Sequence, residues 1–232
     1  MNKSIFFFII IILAPSLLFA QQCGNYYYLT DQGEVQMTAY DRKDKPAVVI
    51  TYQISDVKSI PGGMQSKVTS EAVDEKGNKL GGGEGIFKCE NGNLSADMNV
   101  TMSSTPMEQF KGMEVKADDA YMVYPADLSV GQALPDGAFH MNVYRNKKLF
   151  STMDYNISNR KVEAEEQITT PAGTWKCFRI SYNILMKMKM GISIPMHYKV
   201  TEWFAPGFGI VKTINYNKKG KKAGYAQLTM VK

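Results

Sequence analysis

The sequence is poor in the residues that most often build metal and catalytic sites, since its 232 residues include only two His and three Cys. These five residues are scattered and lack the close spacing typical of zinc sites. A serine hydrolase would have to use His140 or His197 as its base, and no motif supplies the rest of a triad. We therefore expect no metal, no cofactor and no enzyme activity. Finding His140 beside Asp or Glu in a pocket would revive a hydrolase or isomerase.

Long apolar runs are also scarce, and residues 5–13 form the one near the N-terminus. Lys3 precedes this run, and Leu18-Phe19-Ala20 follows it and offers cleavage after the small residue Ala20, a pattern typical of a signal peptide. An uncleaved anchor is the alternative. No later stretch approaches the roughly 18 uninterrupted apolar residues of a membrane span. We expect residues 1–20 to be a signal peptide and residues 21–232 to be a single exported β domain, in the periplasm, at the outer-membrane periphery or outside the cell.

The three cysteines lie in the predicted exported part, where disulfides can form. Cys89 and Cys177 both lie in segments that resemble strands, so we expect them to pair. Cys23 would then be left over near the new N-terminus. It could be free, bridge two chains or carry a lipid, although the residues before it make a poor lipidation signal.

The basic excess is small, with a formal net charge of +5, and much of it lies near the C-terminus. The strongest cluster, at residues 217–222, is interrupted by Gly220 and is typical of a solvated hairpin tip. The basic patches interleaved with aromatic residues that indicate a nucleic-acid-binding module are missing. We therefore expect no nucleic-acid partner.

Residues 178–200 dominate the pattern, because every even position in this run is apolar and most odd positions are polar. Strand side chains point to alternate faces, so the run predicts a β-structure with one dry and one wet face. At about 3.3 Å per residue it would span roughly 75 Å if straight, several times the usual strand length. It must therefore fold back, and Gly191 is the expected place.

The rest of the chain predicts short strands separated by turns every ten or so residues. Asn91-Gly92 is the strongest hairpin signal. Strands are expected at residues 149–157 and 162–169, and another from residue 94 to residue 102. These signals predict a mainly β protein, an antiparallel meander that forms a barrel or a strongly curved sheet. Thr105-Pro106-Met107-Glu108 is a helix-start pattern and predicts one short helix near residues 106–113.

Three motifs resemble a known family. They are residues 124–136, beginning Tyr-Pro-Ala-Asp-Leu; residues 170–180, Thr-Pro-Ala-Gly-Thr-Trp-Lys-Cys-Phe-Arg-Ile; and residues 202–212, Glu-Trp-Phe-Ala-Pro-Gly-Phe-Gly-Ile-Val-Lys. Together they are similar to the TapB-like group of exported proteins common in Bacteroidota. The resemblance extends from about residue 27 to the C-terminus and includes residues 87–92, whose cysteine would be the partner of Cys177. It implies an exported β-rich domain of unknown function, with no catalytic residues to carry over.

The methionines of the long run are its least ordinary feature. Met is flexible and polarizable and is frequent on adaptable apolar surfaces. We expect a non-enzymatic exported envelope protein that binds a lipid-like or other apolar ligand on its concave face. The alternatives are an ordinary core and a structural or assembly protein with a filled core and a protein partner. The residues expected to line the ligand site are Tyr182, Met186, Met188, Met190, Met196, Tyr198 and Trp203.

Overall fold

The computed structural model describes Cys23 and residues 26–101 and 113–232. In chain order its elements are a 3-10 helix (Tyr27–Leu29), β1 (Glu34–Asp41), β2 (Pro46–Ile60), β3 (Gly63–Asp74), β4 (Lys79–Glu90), β5 (Asn93–Asp97), α1 (Met98–Thr101), β6 (Glu114–Ala117), β7 (Tyr121–Tyr124), β8 (Gly137–Arg145), β9 (Lys148–Thr170), β10 (Gly173–Met190), β11 (Ile192–Ala205), β12 (Gly209–Asn217) and β13 (Lys222–Val231). The predicted signal peptide, residues 1–20, lies outside the described residues. So do residues 106–112 of the predicted helix.

The strands form one 13-stranded antiparallel sheet, in the order β6-β8-β9-β10-β11-β12-β13-β1-β2-β3-β4-β5-β7. Its two end strands, β6 and β7, are joined by residues 118–120, so the chain passes directly from one end of the sheet to the other. There Asp118 N–H donates to the His140 carbonyl at 3.1 Å, and Met98 N–H donates to the Ala120 carbonyl at 2.8 Å. The result is a nearly closed, barrel-like sheet, which confirms the predicted fold class.

Aromatic side chains fill one end of the barrel. Tyr28 packs against Phe87 and Phe208, with ring centroids 4.9 and 5.9 Å apart. Tyr27 stacks on Phe208 at 5.4 Å, and Trp175 packs against the same ring at 4.6 Å. Such ring pairs add to the stability already given by burial of apolar area. We call this the aromatic end; it is packed core.

The two strands predicted at residues 149–157 and 162–169 are one continuous strand, β9. Its pairing with β10 shifts register between Ser181 and Asn183, and Asn159 has a positive φ of 57°. This irregularity is a bulge, which re-aims side chains, and Arg160 beside it is buried. The polar residues 158–160 therefore mark a bulge within a strand rather than a gap between strands.

The strand predicted from residue 94 to residue 102 ends at Asp97. Asn99 N–H donates to Asp97 Oδ1 at 2.8 Å, and the Thr101 hydroxyl donates to the Asp97 carbonyl at 3.3 Å. An Asp side chain that satisfies a free amide of the first turn is a strong helix N-cap. Asp97 therefore turns the chain from β5 into α1.

The predicted disulfide between Cys89 and Cys177 is wrong. Cys89 is bonded to Cys23, with the Cα atoms 5.4 Å apart, and Cys177 is a buried free thiol. Cys89 lies on β4 and Cys177 on β10, and six strands stand between these two in the sheet. Cys23 approaches over Gly63, where an added Cβ would lie only 3.2 Å from the Cys23 sulfur. The bond ties the N-terminal segment to the sheet.

Candidate functional site

The alternating run at residues 178–200 lies on β10 and β11, which we call the long hairpin. The two strands fold back at Gly191, whose φ is 84°, as the sequence predicts. Only Gly adopts such a conformation without steric cost. The even-numbered residues face the core near the base of the hairpin, where Ile180, Tyr182 and Val200 are buried. The predicted dry face is confirmed there.

The exposure of this apolar face to solvent increases along the hairpin toward its tip. Met186 is 9% exposed, whereas Met188, Met196 and Tyr198 are only partly buried. At the tip, Met190 is 44% exposed, Ile192 74% and Ile194 48%. The apolar stripe therefore begins in the core and ends in solvent, so the expectation that the whole run is dry fails at the tip.

Neighbouring strands extend the partly covered region into an apolar wall. Met186 lies opposite Met196 on β11 and opposite Tyr155 on β9, and Met188 lies opposite Met153. Met153 and Tyr155 are buried. We define the apolar wall as Met153, Tyr155, Met186, Met188, Met196 and Tyr198. Flexible Met side chains suit it to apolar surfaces of variable shape.

An open groove of about 480 Å³ adjoins the apolar wall. It lies where β12 ends at Asn217, opposite Tyr198, while the long hairpin continues past it. Ile184, Leu185 and Tyr198 are its apolar lining residues, and its polar lining residues are Ser158, Asn183, His197, Lys199, Asn217 and Lys218. The volume of this groove lies within the roughly 300–1,000 Å³ range of ligand clefts, which combine apolar side chains with a few polar groups.

The structure separates the seven residues predicted to bind a ligand. Met186, Met188, Met196 and Tyr198 lie together in the apolar wall, and Met190 lies at the hairpin tip. Tyr182 is buried, and its hydroxyl donates to Glu202 Oε2 at 2.9 Å. Trp203 is partly buried, and its Nε1–H donates to Glu166 Oε1 at 2.6 Å. Along β11 it alternates with the buried Glu202 and Phe204, so Trp203 belongs to the opposite face of the sheet.

A buried polar cluster lies deeper in the barrel, and the sequence analysis missed it. Arg160 Nη2 lies 4.0 Å from Glu202 Oε1, and both side chains are fully buried. Arg160 Nη1 donates to the carbonyls of Val123 at 3.1 Å and Pro135 at 2.9 Å. The guanidinium lies over the Tyr124 ring, 5.1 Å from its centroid. Arg160 therefore links β9 to β7 and the following loop, where the sheet closes.

Burial dominates the electrostatics of this cluster. It raises the pKa of the Glu202 carboxyl, and the Arg160 charge and the hydroxyls of Tyr182 and Tyr124 oppose this only in part. Burial also raises the pKa values of Tyr124 and Tyr182 well above their ordinary range. The cluster is suited to holding the barrel closed, because its hydroxyls stay protonated and its ionisable groups contact one another.

A sequence signal for Glu202 was present. The apolar even-numbered series of the long hairpin continues through Val200 to Phe204, and Glu202 is a charged residue on that same face. Buried charges are normally paired, so a carboxylate at this position predicts a buried cation beside it. The partner, Arg160, lies between residues 149–157 and residues 162–169, the two strands that the sequence predicts there.

The sequence set one condition for a hydrolase or isomerase, namely that His140 lies beside Asp or Glu in a pocket. His140 does lie beside a carboxylate, with Nδ1 2.6 Å from Asp154 Oδ1 and Nε2 3.3 Å from Asn142 Oδ1. The His140 and Asp154 side chains are 37% and 49% exposed. The hydrogen bond to Asp154 raises the pKa of His140. This is a solvent-facing cross-strand pair on β8 and β9, so only the first part of the condition, a neighbouring carboxylate, is met.

Within residues 26–101 and 113–232 and at Cys23, no group of three or more His, Cys, Asp or Glu is placed to hold a metal ion. In the same part of the chain, no helix has the length and apolar character needed to cross a bilayer.

These features define a class: a nearly closed antiparallel β-barrel with one packed aromatic end and a long hairpin that leaves the core at the other. The chain belongs to the DUF3108-like family, whose model matches residues 31–228. This confirms the broader expectation of a family without an assigned function, whereas the name TapB-like is not supported. No curated protein matches the chain.

Two crystal structures share the fold. One is described as a "putative exported protein with YmcC-like fold" from Bacteroides fragilis NCTC 9343. It has a TM-score of 0.73 and 21% identity, over 88% of this chain and 96% of that one. The other is described as a "putative lipoprotein" from Parabacteroides distasonis ATCC 8503. It has a TM-score of 0.76 and 23% identity, over 89% of this chain and 98% of that one.

Proposed function

We propose that the protein is a non-enzymatic, exported component of the cell envelope that binds a lipid-like molecule on the apolar wall. The observation that carries this proposal is the loss of cover along one apolar face, from the buried Met186 through the partly buried Met188 to the exposed Met190. An apolar surface that extends from the core into solvent is stabilised when an apolar partner covers it and removes it from water.

The adjoining groove supports a ligand with a polar head. Tyr198 belongs to both the apolar wall and the groove, and Lys218 lines the groove next to Asn217, which pairs with Tyr198. Lys199 also lines the groove, but it alternates with Tyr198 and so lies on the opposite face of β11 from the wall. An acyl chain on the wall, with its head toward Tyr198 and Asn217, would leave an anionic head near Lys218. The packed aromatic end supports the same location, because aromatic rings already fill that part of the barrel.

The export step of this proposal depends on the N-terminal sequence and on the two structural relatives. Residues 1–20 have the signal-peptide pattern. The relatives' descriptions name an exported protein and a lipoprotein. We propose that processing leaves residues 21–232 as one exported domain, in the periplasm, at the outer-membrane periphery or at the cell surface.

Native mass spectrometry of protein purified without detergent tests the proposal, followed by solvent extraction of any adduct. We expect an apolar or amphipathic molecule to co-purify. The double substitution Met188→Gln/Met196→Gln should lower its occupancy, because it places amides on the wall. The matched control is Met230→Gln, a partly buried methionine on β13 outside the wall.

An alternative function, a structural or assembly protein with a protein partner, is favoured by the exposed apolar side chains at the hairpin tip. It predicts no extracted lipid and a protein crosslinked through this tip. If the wall variant Met188→Gln/Met196→Gln binds lipid as well as the parent protein does, the proposed site is wrong.

A further inference from the structure

The exposed large apolar side chains are concentrated in one place. Five such residues are exposed in the described part of the chain, and four of them are Leu149, Met190, Ile192 and Ile194. Leu149 belongs to the β8–β9 tip and the other three to the β10–β11 tip. β9 pairs with β10 as far as Lys189, so these two tips are neighbours at the same edge of the barrel.

Three further hairpin tips reach the same end of the barrel. The antiparallel order places the turns after β8, β10, β12, β1 and β3 opposite the aromatic end, and the β3–β4 turn, residues 75–78, carries one Glu and one Lys and so adds no net charge. Lys222 of the β12–β13 tip forms an ion pair with Asp44 of the β1–β2 tip. The groove joins the β12–β13 tip to the long hairpin through Lys218 and Tyr198. We define the basic edge as residues 41–45, 145–149, 187–194 and 217–222.

The charge of the basic edge is strongly one-sided. Its residues include 12 of the chain's 27 Lys and Arg but only two of its 22 Asp and Glu, so its formal charge is +10. The remainder of the chain holds 15 cations and 20 carboxylates. The molecule is therefore polarised, and its exposed apolar side chains lie on two neighbouring tips of its positive end.

From this combination we infer that the basic edge docks on an anionic lipid surface, with Ile192 and Ile194 inserted among the lipids. Each Lys or Arg near an anionic bilayer contributes about 1 kcal/mol, which corresponds to roughly fivefold in binding. Lysine stems can lie along the apolar layer while their ammonium groups reach the phosphates. The inference goes beyond the proposed function, because it needs no ligand on the apolar wall.

The chemistry of the tips favours lipid over other anionic partners. Binding to single-stranded nucleic acid depends on aromatic side chains that stack on bases, and the exposed apolar residues here are Leu, Met and Ile. A second copy of the chain would bring two edges of charge +10 together, which like-charge repulsion opposes. An acidic protein is the remaining competitor and is an outcome of the test.

The test is co-sedimentation with vesicles, using protein isolated after export with its N-terminus checked by mass spectrometry. Phosphatidylcholine vesicles are compared with vesicles that also contain phosphatidylglycerol. We expect binding to the anionic vesicles, weakened by salt, and little binding to phosphatidylcholine alone. Equal binding to both, or to neither, would overturn the inference. Failure to bind vesicles together with capture of an acidic protein would assign the edge to that partner instead.

Matched variants locate the contact. Lys218→Gln/Lys219→Gln/Lys221→Gln should lower partitioning into anionic vesicles by about 100-fold, given roughly fivefold for each lysine. The control removes the same charge from three exposed lysines outside the basic edge: Lys58→Gln/Lys161→Gln/Lys176→Gln. An equal loss in this control would mean that net charge alone causes binding.

The apolar contact has its own pair of variants. Ile192→Ser/Ile194→Ser should lower partitioning by tenfold or more, whereas Val130→Ser, at an exposed residue outside the edge, should leave it unchanged. The wall variant Met188→Gln/Met196→Gln should still bind vesicles. Binding that survives the Ile192/Ile194 substitutions would contradict insertion, whatever the outcome of the ligand experiment.

Discussion

Arg160 and Glu202 face each other in the interior of the barrel, 4.0 Å apart and fully buried. Arg160 Nε, Arg160 Nη2 and Glu202 Oε1 have no hydrogen-bond partner among the described residues. The pair therefore contributes less through its own attraction than through Arg160's bonds to the carbonyls of Val123 and Pro135. Its role is to hold β9 against β7 and the following loop, where the sheet closes.

Removing the buried cation Arg160 should strongly lower the free energy of unfolding. Arg160→Leu leaves Glu202 without its counter-charge and two carbonyls without their donor, so we expect a loss of about 3–5 kcal/mol in the free energy of unfolding. Urea unfolding followed by circular dichroism measures it. Arg179→Leu, on the partly exposed Arg179–Glu166 pair, is the control and should cost far less. Equal losses would contradict the closing role of Arg160.

The raised pKa of Glu202 predicts a pH dependence with a defined sign. The folded protein holds this proton more tightly than the unfolded chain, whose ordinary carboxyl value is 4.5. The stability that Glu202 contributes should therefore fall as pH rises from about that value through the folded-state pKa. Glu202→Gln does not titrate, so the stability of the parent protein relative to this variant should decrease with pH. A difference independent of pH would show that the pKa is not raised.

The position of the free thiol separates the two disulfide assignments, since each leaves one thiol per chain. Titration under denaturing conditions should find one thiol per chain, and alkylation should place it at Cys177. In the native protein that thiol should react slowly, because burial raises its pKa to about 12. Cys23→Ser should free Cys89 and cost about 4 kcal/mol, since the bond closes a loop across 66 residues. Acylation of Cys23 or a label at Cys89 in the parent protein would contradict this bond.

His140 should titrate above its ordinary value of 6.5, because its ring is hydrogen-bonded to Asp154. The stability it contributes should be fully present below pH 6.5 and lost as pH rises through the folded-state pKa. Solvent screening at this partly exposed pair limits the effect to about 0.5 kcal/mol. An NMR titration, with resonances assigned through His197→Gln, measures the pKa. Asp154→Asn should lower it, and an unchanged value would refute the coupling.

The local pattern was sufficient to predict the long hairpin. Its alternation and the turn at Gly191 depend on strand periodicity and glycine geometry, which are local properties of the chain. The disulfide was mispredicted because pairing depends on which strands become neighbours in space. Cys89 and Cys177 both lie on strands, but six other strands separate them.

The candidate site could be predicted only in part, for a similar reason. The sequence indicated an apolar face, and four of its seven predicted residues lie in the apolar wall. The sequence could not show where neighbouring strands stop covering this face, because that depends on the differing lengths of those strands. β12 stops opposite Tyr198 while β10 and β11 continue to Met190 and Ile192.

Photocrosslinking with a diazirine-bearing fatty acid, followed by peptide mapping, tests the lipid-binding account most directly. The account predicts that adducts concentrate in the peptides that carry Met186, Met188, Met196 and Tyr198. It also predicts that Met188→Gln/Met196→Gln reduces them while Met230→Gln does not. Adducts spread evenly over the chain, or concentrated at the aromatic end, would contradict it.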